Sequence, residues 1–311
     1  MKLTTKSGVA RALLAWVLLA CPLGAAAQSV ALTFDDGFDT VENPDAARWN
    51  EAMLRALAAG KVTAMLLPAG RAADNTAGFE LVKAWGTAGH TVGNHSYSHQ
   101  NFGSEKIDAR AFIADVQKAD VVLRQSPGWK RFFRFPYLKE GATAERRDAM
   151  RQWLREHDYR VAAASIDASD WYYSDRFAKW RKVHPGEDVG PHRDAYLAHL
   201  WDRAQYYDGL SRQVLGRSAK HVLVLHTNAI NAAFLPDVIA MFKSKGWEII
   251  PALEAFADPL YSMKPNTLPA GESILWALAK ERGVNGLRYP AEDGRYEQAI
   301  LDRVESGLKK R

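Results

Sequence analysis

Between Val30 and Ile250, short apolar and β-branched runs alternate with longer stretches of helical periodicity, and that alternation restricts the chain more than any other feature. Val30–Phe34, Val62–Leu67, His90–Gly93, Phe132–Phe135, Arg160–Ile166, His221–Leu225 and Trp247–Ile250 read as strands. Residues 46–59, 79–88, 107–123, 144–157 and 235–245 read as helices, the third with Ile113, Val116 and Leu123 on one face. Strands separated by helices of this length form parallel βαβ units. About seven of them suggest an α/β fold, a distorted parallel (β/α) barrel that closes imperfectly. In such barrels chemistry gathers at the ends of strands.

Two segments depart from the rhythm. Residues 174–217 form a long connection rich in Trp, Tyr and His, with a helix expected over 193–215. Its Trp180, Trp201, Tyr206 and Tyr207 could line a substrate cleft or pack against the barrel wall. Beyond Asp258 no further strand is evident, only helices at 272–282 and 295–308, so residues 259–311 read as a helical extension of a catalytic barrel over 28–258.

The start of the chain reads as an export signal. Lys2, Lys6 and Arg11 precede a short apolar run at 12–20, and Ala25–Ala27 supplies the small residues that a signal peptidase requires. The expectation is removal of residues 1–27, a periplasmic or extracellular protein, and no transmembrane helix afterwards, since no later segment approaches ~20 uninterrupted apolar residues. A lipid anchor at Cys21 is the alternative. Cys21 is the single cysteine, so the processed chain has neither disulfides nor thiolate ligands. Lys2, Lys6 and Arg11 also belong to the 41 basic residues set against 36 acidic ones. Without them the charge is nearly balanced, which argues against a nucleic-acid partner.

Five short motifs fall at the same end of the expected strands. Thr33-Phe34-Asp35-Asp36-Gly37 sets two carboxylates after the first strand. It could be a simple turn, but adjacent acids repel and a cation would relieve them. His95-Ser96-Tyr97-Ser98-His99 spaces two imidazoles as on one helical turn, where they could share an ion. Two histidines and a carboxylate without cysteine suit one divalent metal ion, Zn²⁺ for preference. Arg134-Phe135-Pro136-Tyr137 offers a cation to offset the extra carboxylate. Asp167-Ala168-Ser169-Asp170-Trp171 brings an indole against which a sugar face could pack. Leu223-Val224-Leu225-His226 places a histidine at the exit of a buried strand.

In this order the motifs resemble those of the polysaccharide deacetylases of carbohydrate esterase family 4, the NodB-homology family, from about Val30 to Ile250. The resemblance implies a metal triad of Asp36, His95 and His99. It implies Asp35 as catalytic base with Arg134 beside it, and His226 as general acid oriented by Asp167 in preference to Asp170. It also implies that the Tyr137 N–H helps bind the oxyanion, with Tyr137 and Trp171 touching substrate. The implied reaction is hydrolytic N-deacetylation of a polysaccharide or oligosaccharide such as chitooligosaccharide, peptidoglycan or exopolysaccharide. O-deacetylation of acetylxylan is the second reading and a non-catalytic glycan-binding module the third.

Overall fold

The structure is a computed structural model that describes residues 27–290 and 294–308. The export reading of residues 1–27 and Cys21 therefore lies outside the described residues, save for Ala27. The first half of the chain holds β1 (Ser29–Asp36), α1 (Ala46–Gly60), β2 (Met65–Pro68), α2 (Gly70–Ala73), α3 (Thr76–Thr87), β3 (Thr91–Asn94), α4 (Ala109–Leu123), β4 (Trp129–Phe133), β5 (Lys139–Gly141) and α5 (Ala144–Glu156). The second holds β6 (Arg160–Val161), α6 (Asp170–Val183), α7 (Gly190–Leu215), β7 (Lys220–His226), α8 (Ala229–Ser244), β8 (Glu248–Ile249), α9 (Ala252–Ala255), β9 (Ala270–Gly271), α10 (Ile274–Glu281) and α11 (Arg295–Leu308).

Among the described residues the main sheet has seven strands, in the order β6-β4-β3-β2-β1-β7 with β8 beside the start of β1, and all pairs are parallel. It curls into a distorted (β/α) barrel. Past β6 the chain crosses to β7, where Ile166 forms one bridge to Leu223. The Ser165 hydroxyl accepts from the Val222 amide at 2.8 Å, so a side chain completes a ladder too short to close the seam by itself.

Side-chain alternation along β1 explains how an apolar strand delivers polar groups to the interior. Val30, Leu32 and Phe34 face the surrounding helices, where they pack with Met53, Leu57 and Trp85. Ala31 faces the barrel axis with Met65, Leu67, Phe132 and Val222. The same alternation turns Thr33 and Asp35 inward, above this small apolar plug.

Several boundaries differ from the sequence reading. The strand expected over 160–166 is ordered as such only at Arg160–Val161. The connection at 174–217 is almost wholly helical, with α6 entering it and α7 running from Gly190. The helix expected to start at residue 235 begins at Ala229, because the Asn228 side chain caps it by accepting from the Asn231 amide. The buried stripe of α4 is Phe112, Val116, Ala119 and Leu123, with Ile113 at its margin. A strand does occur beyond Asp258, since β9 pairs antiparallel with β5. Strands of two or three residues carry no periodicity, so partners rather than sequence determine them.

Candidate active site

Where β1 ends, Asp35 and Asp36 part company. Asp35 completes the inward face of the strand and is 2% exposed. The Arg134 guanidinium donates to Asp35 Oδ1 at 2.7 Å, to Thr33 Oγ1 at 2.8 Å and, through Nε, to the Ala162 carbonyl at 2.7 Å. Arg134 is itself 1% exposed, so this is a buried ion pair whose charges depend on one another. At Asp36 the backbone enters the left-handed region, with φ 79°, followed by Gly37 at 74°. The Ala69 amide donates to the Asp36 carbonyl at 2.8 Å and the Thr227 amide to the Asp35 carbonyl at 3.1 Å. Held from both neighbouring strands, the turn sends the Asp36 carboxylate across the barrel mouth.

His95 and His99 meet that carboxylate, though on a loop instead of the helical turn expected from their spacing. Ser96 and His99 have φ of 61° and 55°. Asp115, reaching over from α4, organises the loop. Its carboxylate accepts from the Tyr97 amide at 2.9 Å, the Ser98 amide at 3.0 Å and the Ser98 hydroxyl at 2.5 Å. The Ser96 amide donates to Asn94 Oδ1 at 2.8 Å. Asp115 was not foreseen, because an acid in the middle of an amphipathic helix looks like solvated surface.

The imidazole Nε2 of His99 lies 3.1 Å from Asp36 Oδ1, and that of His95 lies 3.7 Å from the same oxygen. The three ligand atoms all fall within 4.8 Å of one another. Ligands ~2.0–2.2 Å from a shared tetrahedral ion would sit roughly 3.4 Å apart. Asp36 Oδ1 is buried without a conventional hydrogen-bond partner, as an oxygen reserved for a cation would be. His95 points its Nδ1 at the Arg134 carbonyl, 2.9 Å away, which leaves Nε2 free to ligate. Burial is the main influence on His95 and pushes its pKa down to about 4, so it is neutral at pH 7. Burial works to raise the Asp36 pKa. The His99 contact and the charges of His226, His99 and His95 outweigh it and hold the carboxyl well below the usual range. The residues fit one divalent ion.

Across the mouth, His226 ends β7. Its Nδ1 lies 2.7 Å from Asp170 Oδ1, and its amide donates to Asp170 Oδ2 at 2.8 Å. Asn228 and Asn231 also donate to that second oxygen, at 2.9 and 2.8 Å. Asp170 is fully buried. The orienting carboxylate is therefore Asp170, which corrects the expectation of Asp167. Asp170 opens α6 directly against the end of β7, whereas Asp167 sits earlier and lines the cavity. Burial favours neutral His226, but the Asp170 charge and hydrogen bond, followed by Asp36 and Asp35, push its pKa up to about 10.

Asp35, Asp36, His95, His99 and His226 line a cavity of about 320 Å³ whose lip includes Tyr137, Leu138 and Trp171, with Arg134 and Asp170 buried behind them. That volume falls within the range of small-ligand sites. Tyr137 is 49% exposed with its ring centroid 4.7 Å from that of His99, and Trp171 is 40% exposed. Tyr137 and Leu138 both occupy the left-handed region, at φ 57° and 54°. For non-glycine residues that conformation costs roughly 1–2 kcal/mol each. No residue of 174–217 lines the cavity. Trp180 and Tyr207 are buried, and Trp201 packs on Phe242 and Trp247. Tyr206 is partly buried against the same core. The aromatic richness of the segment belongs to the barrel wall.

Residues 24–162 match the family model described as polysaccharide deacetylase. A peptidoglycan-N-acetylglucosamine deacetylase of Bacillus cereus is 29% identical over 143 residues, 46% of this chain and 46% of that protein. The chain thus spans about half the length of that relative. Among solved structures, a mutant of a family 4 carbohydrate esterase pseudoenzyme superposes with a TM-score of 0.51 at 16% identity, covering 74% of this chain and 67% of the other. The wild-type pseudoenzyme, from Bacillus anthracis, gives 0.50 at 16% identity, covering 74% and 66%. These two structures bear on the fold alone.

Proposed function

We propose that this chain, whose residues 24–162 match the polysaccharide deacetylase family model, is a hydrolase that removes acetyl groups from the acetamido sugars of a glycan. The observation that carries this reading is the pairing of two units across one cavity. The Asp36, His95 and His99 cluster with Asp35 forms one side, and His226 on Asp170 forms the other.

Asp36, His95 and His99 would hold one divalent ion, zinc being the best match for two imidazoles and a carboxylate. Bound there, such an ion supplies Lewis acidity toward the acetyl carbonyl and acidifies water. Asp35 serves as the base. Its Oδ1 is engaged by Arg134, and its Oδ2 faces His95 at 3.8 Å and can take the proton of an attacking water. The Tyr137 N–H donates to the acetyl oxygen as that atom gains charge. His226, protonated at neutral pH, delivers its Nε2 proton to the departing nitrogen. Trp171 offers the sugar ring an apolar face.

A protonated His226 held on Asp170 supplies the proton that an N-acetyl substrate requires. An amine cannot leave without a proton, while an alcohol needs one far less. The named relative acts on peptidoglycan N-acetylglucosamine, which makes peptidoglycan or another N-acetylglucosamine polymer the first substrate to try. The two solved pseudoenzyme structures share the fold, so fold alone does not imply turnover. Here Asp35, Arg134, Asp170 and His226 are all present with mutual contacts. Among the described residues no helix is long and apolar enough to cross a membrane, and we place the enzyme outside the cytoplasm on the leader alone. Acetate release from chitooligosaccharide, peptidoglycan, exopolysaccharide and acetylxylan, with and without chelator, tests the reading. Release from none of them after metal addition overturns it.

A further inference from the structure

The Tyr137–Leu138 corner would not hold its conformation unaided, since two consecutive non-glycine residues there have positive φ. The described tail of the chain grips it. Gly271 pairs with Lys139 in the β5–β9 ribbon, and the Glu272 amide donates to the Leu138 carbonyl at 3.0 Å. The Glu272 carboxylate also meets the Lys139 ammonium, both side chains being largely buried. Gly271 itself has φ 127°, and a Cβ there would lie 2.0 Å from the Leu138 oxygen, so only glycine permits this approach.

The grip is anchored in turn. The Ser273 hydroxyl donates to the Ser165 carbonyl at 2.8 Å, and the Ile274 amide donates to the Ala164 carbonyl at 2.9 Å. Both acceptors belong to the seam that leads into Asp167 and Asp170. Arg151 adds a brace by bonding Glu140 at 2.8 Å and the Pro265 carbonyl at 3.1 Å. The C-terminal segment thus ties the lip carrying Tyr137 to the strand end that carries the fourth motif.

We propose that residues 270–272 act as a clamp that aims the Tyr137 N–H at the reacting carbonyl, with Gly271 and Glu272 as positioning residues. The clamp rests on the deacetylase reading only for the role of that N–H. An ångström of misplacement at a reacting group can cost on the order of 10²-fold in rate. A mispositioned donor that binds only developing charge lowers kcat and leaves KM nearly unchanged.

The decisive variant is Gly271→Ala in the full chain, with Glu272→Ala and Glu272→Gln beside it. In Gly271→Ala, kcat for acetate release should fall about tenfold to hundredfold, with KM and zinc content near wild type. Backbone amides of residues 134–141 should exchange hydrogen about tenfold faster, while those of 29–36 stay unchanged. Glu272→Ala should show a smaller version of both effects, and Glu272→Gln, which can still accept from Lys139, should recover most of the loss. Unchanged exchange at 134–141 overturns the clamp, as does a loss of turnover that merely follows the loss of folded protein. The exchange measurement decides even if the wild type releases no acetate, which would refute the deacetylase reading alone. Should Gly271→Ala fail to fold, the two Glu272 variants carry the test.

Discussion

Asp170 Oδ1 lies 2.7 Å from His226 Nδ1, and the same carboxylate holds the His226 backbone amide through its other oxygen. This double grip fixes both the direction of the imidazole and its charge. Removing it separates the two effects that a general acid needs.

Asp170→Asn should lower the His226 pKa from its raised position near 10, because the Asp170 charge is the main influence that lifts it against burial. The raised pKa means that the folded state binds the proton more tightly than the unfolded chain. The associated stability is complete below ~6.5 and lost as pH rises through about 10. In the variant, the alkaline limb of kcat should therefore move to lower pH. Amide hydrolysis at neutral pH should fall ~10²–10⁴-fold, and ester hydrolysis less. Paired pH profiles on an N-acetyl and an O-acetyl substrate check this, and identical alkaline limbs in wild type and variant would count against the assignment.

Metal content should follow the loop as well as its ligands. His95→Ala and Asp36→Asn should each abolish stoichiometric zinc. Asp115→Ala removes three bonds that shape the His95–His99 loop without touching the ion. It should weaken zinc affinity by ~10–100-fold with the fold retained. Chelator competition measures this, and wild-type affinity would show that the loop holds its shape unaided.

Arg134 and Asp35 should behave as a pair. Arg134→Met leaves a buried carboxylate without its cation and should destabilise the protein by about 3–5 kcal/mol. Asp35→Asn should keep zinc and fold while losing ~10²–10⁴-fold in turnover. The double variant should be more stable than Arg134→Met alone, as denaturant titration will show. Additive destabilisation would mean that the pair is not coupled.

Trp201 and Trp171 should give opposite results. Trp201, partly buried against Phe242 and Trp247, should lose about 2–3 kcal/mol of stability when changed to Ala, less than a fully buried Trp, with the substrate profile of the folded protein unchanged. Trp171, exposed at the cavity lip, should cost little stability when changed to Ala and instead raise KM for glycans. Thermal melts and kinetics on oligomers of several lengths separate the two residues.

Much of this was legible in the sequence because it depends on local pattern. Strand–helix alternation implied the parallel barrel. The position of each motif after an apolar strand placed Asp36, His95, His99 and His226 around one mouth, with Arg134 buried behind Asp35. What remained hidden depends on contacts between residues far apart in the chain. Whether Asp167 or Asp170 reaches His226 is set by where α6 starts relative to β7. The His95–His99 loop owes its shape to Asp115 on another element. The inward packing of Trp180 and Trp201 depends on which helices they meet. The grip of Gly271 and Glu272 on Leu138 joins segments more than a hundred residues apart through backbone bonds that leave no periodic side-chain pattern in the sequence. Periodicity and spacing report which way a side chain faces along its own element, whereas the partner it meets is decided only when distant elements pack.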